Sequence, residues 1–119
     1  MASFNKLVLG GSTNGRPIAV SATASPGSTI HTGSTTTTDF DEVWLYANNI
    51  GTADVKLTVE WGGTSTSEHI EVTIPAESGL VPIAPGLLVK GAATALIIRA
   101  FAGTGSVINI SGFVNRISA

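Results

Sequence analysis

Apolar and polar residues alternate through most of this chain, and the alternation sets its secondary structure. From Val55 to Trp61 the apolar set Val55, Leu57, Val59 and Trp61 is interleaved with Lys56, Thr58 and Glu60. After the turn Gly62-Gly63-Thr64-Ser65, Ile70, Val72 and Ile74 alternate with His69, Glu71 and Thr73. A period of two places each set on one face of a strand. The two runs therefore predict neighbouring antiparallel strands with one wet face carrying Lys56, Glu60, His69 and Glu71. Pro75 ends the pairing because it has no amide hydrogen to donate. Further strands are predicted at about 17–23, 28–32, 41–48, 81–84, 86–90, 95–102 and 107–117. No stretch keeps a helical period over three turns. Roughly eight strands in a chain of 119 residues predict an all-β fold, an antiparallel β-sandwich of jelly-roll type.

Three of these strands depart from one-sided patterning. In 41–48, Val43, Leu45 and Ala47 oppose Trp44 and Tyr46; in 95–102, Leu96, Ile98 and Ala100 oppose Ile97, Arg99 and Phe101; in 107–117, Ile108, Ile110 and Val114 oppose Val107, Phe113 and Ile117. Large apolar side chains on both faces do not suit a sheet with one side in water. If the three strands share a sheet, its second face needs a cover. Either another copy or another protein supplies it, or the segments 1–16 or 76–92 fold across it. On the first reading Trp44, Tyr46, Ile97, Arg99, Phe101 and Phe113 form an interface.

The chain divides into an extended N-terminal segment, residues 1–16, and a single sandwich domain, residues 17–119, without a linker or internal repeat. Residues 10–16 and the threonine-rich run Gly33 to Thr38 read as loops, the second as a mobile one. Fourteen glycines, with twelve serines and fifteen threonines, favour strands and tight turns. Charged residues make up 12 % and the formal net charge is −2, which points away from nucleic acid as a partner. The chain has no cysteine, so disulfide frameworks, thiolate nucleophiles and cysteine-ligated metals are excluded. The first residues show no basic stretch followed by an apolar run, and no apolar stretch nears the roughly 20 residues of a membrane-spanning helix. The expectation is a soluble chain without a signal peptide or a membrane partner.

Candidate chemistry is sparse. His69 and Glu71 share a strand face while Glu68 points the other way, so the run Glu68-His69-Ile70-Glu71 falls short of a metal site and reads as an exposed cross-strand pair. His31 reads as a solvated strand end. Asp39, Asp41 and Glu42 read as solvated acids where a loop enters a strand. No G-x-S-x-G elbow occurs, and a hydrolytic triad would have to recruit one of two histidines. Gly86 to Gly91 and Gly10 to Gly15 lack the order and the following helix of a phosphate loop. Asn109-Ile110-Ser111 matches a glycosylation acceptor but lies mid-strand. Trp61 is in phase with the core set, whereas Trp44 and Tyr46 lie opposite it and could stack on a sugar or on a partner protein. The reading is a non-enzyme with no cofactor.

Several segments taken together resemble a known class. These are Asn14-Gly15-Arg16-Pro17-Ile18, Asp41 to Asn49 (DEVWLYANN), Leu57 to Gly63 (LTVEWGG), Ile74-Pro75-Ala76 and the ending Gly112 to Ile117 (GFVNRI). Their order and spacing over about residues 14–117 resemble small β-rich virion proteins of tailed bacteriophages, in particular capsid decoration (cement) proteins. The resemblance rests on overall pattern and transfers no catalytic residue. It implies a β-rich unit on the capsid exterior, a homotrimer bridging neighbouring major capsid proteins. The loop-like composition of segment 1–16, separately, suggests an arm reaching onto adjacent subunits. A neck, tail or fibre-associated virion protein and a carbohydrate-binding module are the alternatives.

Overall fold

The computed structural model describes residues 2–119. Nine strands and one short turn of 3-10 helix follow in the order β1 (Ser3–Val8), β2 (Ile18–Ala19), β3 (Ser28–Thr32), β4 (Phe40–Asn49), β5 (Val55–Gly62), the 3-10 turn Thr66–Glu68, β6 (His69–Ile74), β7 (Val81–Lys90), β8 (Ile97–Ala102) and β9 (Ile108–Ser118). Sheet A has the order β1-β9-β4-β7, with β2 also on β9; sheet B has the order β3-β8-β5-β6. All pairs are antiparallel.

The pairing has a simple rule. β1 and β2 run in succession along β9, Ser3 to Val8 against Ser118 to Phe113 and Ile18-Ala19 against Ile110-Asn109, so they are one edge strand interrupted by residues 9–17. Counted that way there are eight strands, and each pairs with its counterpart from the other end of the chain. The broken first strand pairs β9, β3 pairs β8, β4 pairs β7 and β5 pairs β6. A long antiparallel ribbon rolled on itself in this way is a jelly roll. The predicted all-β sandwich is what forms.

Inward-facing residues of both sheets make one core. Val43, Leu45, Ala47, Ile108, Ile110 and Val114 from sheet A meet Val55, Leu57, Val59, Ile98, Ala100 and Ala102 from sheet B. Trp61 packs at its margin and donates its indole N–H to the Leu88 carbonyl at 3.4 Å. Loop 9–17 closes one side between the sheets. Leu9 is buried, the Gly11 amide donates to the Ile30 carbonyl at 2.8 Å, and the Gly10 amide donates to His31 Nδ1 at 2.9 Å.

Several expectations are corrected here. Residues 3–8 are a paired strand, so segment 1–16 is part of the sandwich and not a free arm. Residues 81–90 are one strand with irregular register, accommodating Pro82 and Pro85 at a sheet edge. The Gly33–Thr38 run is anchored at its start, where Gly33 and Ser34 are buried and the Ser34 hydroxyl donates to Asp39 at 2.7 Å, while Thr35 to Thr38 are exposed. His31 and Asp41 are buried and not solvated. The three two-sided strands do not share a sheet: β4 and β9 lie in sheet A and β8 in sheet B.

Candidate functional site

The outward face of sheet A carries the aromatic side chains singled out above. Because cross-strand partners point the same way, the register arranges the face in rows across β1, β9, β4 and β7. The first is Phe4–Ile117–Phe40–Lys90, the second Lys6–Asn115–Glu42–Leu88, and the third Val8–Phe113–Trp44–Pro85. Ser111, Tyr46 and Pro82 form the fourth. Apolar rows thus flank a polar one. Phe4 is 73 % exposed, Val8 51 % and Leu88 55 %, and Trp44, Tyr46 and Phe113 are half-buried by one another and their neighbours.

The face is ordered as well as apolar. The Trp44 and Phe113 rings stack nearly parallel, centroids 5.8 Å apart at 9°. The Lys6 ammonium lies 4.7 Å from the Phe113 ring centroid, a cation–π contact. Glu42 accepts from the Trp44 indole N–H at 2.7 Å and from the Asn115 amide at 3.0 Å. Those two donors, Asn115 foremost, hold the Glu42 carboxyl below its ordinary value. The polar row therefore spends its groups on fixing the rings, and the charges that remain are few. Two glycines make room for this packing. A Cβ on Gly86 would lie 3.2 Å from the Trp44 ring, and its φ of +85° is a conformation side-chain-bearing residues avoid. A Cβ on Gly112 would overlap the Trp44 carbonyl oxygen. At one end, Phe40 and Ile117 line an apolar recess of about 220 Å3 with Ala2, Thr38, Ser118 and Ala119.

Segments 1–16 and 76–92 do not fold across this face. Their strands β1 and β7 extend the sheet at its two edges. Of the six residues expected at an interface, Trp44, Tyr46 and Phe113 come together here. Ile97, Arg99 and Phe101 lie on the outward face of sheet B, on the far side of the sandwich. Phe4, Lys6, Val8 and Phe40, absent from the expected set, join the rings once β1 and the first residue of β4 are placed.

The outward face of sheet B is different. Residues 22–27 cross it as a strap. The Ser25 hydroxyl and the Gly27 amide donate to the two Glu60 carboxylate oxygens at 2.5 Å and 2.7 Å, and the Ala102 amide donates to the Ala22 carbonyl. Glu60, expected in water, is fully buried. Burial alone would raise its carboxyl pKa, but the Ser25 and Gly27 hydrogen bonds, helped by the charges of His69 and Arg99, leave it lowered. His69 stands edge-on to Phe101, centroids 5.8 Å apart. Lys56 and Glu71 form an exposed ion pair at the rim of a recess of about 160 Å3 floored by Thr58 and Phe101.

A third polar group joins the sheets. His31 Nδ1 accepts the Gly10 amide hydrogen, so the neutral ring carries its proton on Nε2 and donates it to Asp41 Oδ2 at 2.8 Å. Arg116 donates to both Asp41 oxygens, from Nε at 2.7 Å and from Nη2 at 2.9 Å. Burial would raise the Asp41 carboxyl pKa, but the Arg116 and His31 bonds outweigh it and hold the group below its ordinary value. Both imidazole nitrogens are engaged and the ring is buried, so His31 is set up to tie β3 to β4 and loop 9–11, not to move protons for a substrate. Among the described residues no three or more His, Asp or Glu side chains are grouped to hold a metal ion. In comparisons with protein-family models, curated proteins and solved structures, nothing matches this chain.

Proposed function

We propose that the chain is a non-enzymatic structural protein of a virion, of the capsid decoration type, which docks on the shell through the outward face of sheet A and acts as an oligomer. The observation that carries this reading is the open row in which Phe113 and Trp44 stack between Val8 and Pro85, with Tyr46 in the next row, which no segment among the described residues covers. Fixed aromatic side chains on an otherwise weakly charged surface are the usual anchors of protein–protein contact. The sequence resemblance to decoration proteins supplies the kind of partner, a major capsid protein or another virion protein.

Magnitude argues for repetition of the contact. Four strands about 4.8 Å apart and four rows about 6.8 Å apart cover about 500 Å2. That is of the order of the largest apolar patch on an ordinary monomer and short of the about 800 Å2 per partner of a standard interface. A single copy is then a weak binder. Copies held together multiply the contact, and a protein that binds only the assembled shell stabilises it by mass action.

Electron microscopy of virions assembled with the wild-type chain and with Trp44→Asp tests the reading. The expected result is density on the capsid exterior that the substitution removes while the purified variant stays folded. Density at the neck or tail assigns the chain to another virion part. Virions without the chain, together with a Trp44 fluorescence response to glycans, would favour a carbohydrate-binding module and overturn the proposal.

A further inference from the structure

We propose that two copies of this chain join edge to edge through β1, antiparallel about a two-fold axis at Asn5, so that sheet A continues from one copy into the next. The pairing goes beyond the docking above, because it uses the edge of the sheet and leaves its face free.

The four sheet edges are not equivalent. An exposed edge offers unpaired amides and carbonyls, and folded proteins blunt such edges with prolines, bulges, charges or covering segments. β7 carries Pro82 and Pro85, the positive-φ Gly86, and two register shifts against β4. β3 has a register shift between Thr29 and His31, and Gly11 caps it by donating to Ile30. β6 ends at Pro75 and has Glu71 at its middle, tied to Lys56. β1 has none of these. Its six residues pair with β9 in unbroken register, from Ser3 opposite Ser118 to Val8 opposite Phe113. All six are exposed except the half-buried Leu7. Its one charge, Lys6, lies back over the Phe113 ring of its own sheet and so does not guard the edge.

The sequence of β1 selects the register. A pairing that keeps both sandwiches on one side of the joined sheet must set odd residues opposite odd and even opposite even, since a slip of one residue reverses the faces. Centring on Lys6 would place two ammonium groups opposite each other, a destabilising pair. Centring on Asn5 puts Phe4 opposite the partner's Lys6 and Ser3 opposite the partner's Leu7, with the two Asn5 side chains facing. The joined face then presents both sets of rings in one continuous surface. An isologous edge of this kind closes at two copies, not at the three that the sequence resemblance implies.

A short edge pairing is weak, so the measurement is light scattering and sedimentation over about 1 μM to about 1 mM, the range suited to a small interface. A reversible monomer–dimer equilibrium is expected. Phe4→Lys, which brings a like charge opposite the partner's Lys6, is expected to weaken it about tenfold or more, and Phe4→Glu to preserve or tighten it. Phe4 is 73 % exposed, so both variants keep the wild-type urea midpoint. Because the chain has no cysteine, Asn5→Cys gives a clean oxidative cross-link between copies, whereas Val81→Cys on β7 gives none. Trp44→Asp leaves the dimer intact, which separates this proposal from the docking reading. A monomer across the whole range, a trimer, equal behaviour of the two Phe4 variants, or cross-linking at Val81 in place of Asn5 would overturn it.

Discussion

Asp41→Ala is the sharpest probe of how this small sandwich is held closed. The Asp41 carboxylate is fully buried and serves three donors: two guanidinium nitrogens of Arg116 on β9 and Nε2 of His31 on β3. Removing it strands the imidazole N–H of His31 in a buried site and takes the carboxylate from the Arg116 guanidinium, whose side chain is 27 % exposed. Deleting one partner of a buried pair costs about 3–5 kcal/mol, far above the value of a surface salt bridge. With a urea slope of about 2 kcal/mol/M for a domain of this size, the unfolding midpoint should fall by about 1.5–2.5 M. The network also predicts the shape of the acid limb. Because the folded-state pKa of Asp41 is depressed, the unfolded chain takes up this proton at higher pH than the folded one does. Its contribution is complete above the ordinary aspartate value of about 3.9 and is lost as pH falls through the folded value. Asp41→Asn should flatten stability against pH below about 4. Urea titrations of wild type and both variants from neutral to acid pH check this. A loss below about 1 kcal/mol for Asp41→Ala, the level of an exposed pair, or an unchanged acid limb for Asp41→Asn, would refute the network's role.

Three further expectations follow from single contacts. Gly112→Ala would push a methyl into the Trp44 carbonyl across the β4–β9 ladder and should cost about 2–3 kcal/mol by thermal or urea unfolding. Gly86→Ala combines an unfavourable positive φ with contact on the Trp44 ring and should cost about 1–2 kcal/mol, with a change in tryptophan emission. Glu60→Ala frees the Ser25 hydroxyl and the Gly27 amide, so hydrogen exchange should accelerate across residues 22–27 while the amides of β4 and β9 keep their protection.

The fold was legible in the chain because period-2 alternation survives in each strand that contributes to the core. Val55, Leu57 and Val59, and Val43, Leu45 and Ala47, point inward as their spacing predicts. β1 was less visible. In Ser3 to Val8 the polar positions Asn5 and Lys6 are adjacent, Phe4 and Val8 face outward and Leu7 alone packs against the core, so the run carries no repeated inward alternation. The buried charges were hidden for a related reason. A solvated acid and a buried acid look the same in one dimension, and the partners that let Asp41 be buried, His31 and Arg116, lie about 10 and 75 residues away along the chain. Glu60 departs from its expected place in water because its cover comes from Ser25 and Gly27, some 35 and 33 residues away along the chain. The surface was half legible: Trp44, Tyr46 and Phe113 have the right phase and share a face, but phase alone does not say which strands share a sheet, and β8 went to the other one.

That misassignment sharpens the functional argument. Both sheets have outward-facing rings, yet the chain treats the two faces differently. Across sheet B it lays the strap 22–27, sinks a carboxylate to anchor it, and fits Phe101 against His69. Sheet A has no such strap among the described residues; its only outward carboxylate, Glu42, orients Trp44 and Asn115, and Gly86 and Gly112 are spent on admitting the Trp44 ring and the β4 backbone. Fixing a ring in one orientation costs side-chain entropy that a solvent-facing surface does not recover. It is recovered when a partner meets the ring already ordered, since less freedom is then lost on binding. On the reading proposed above the face of sheet A is a preorganised contact surface, whereas on sheet B Phe101 lies half-buried against His69 beside the strap.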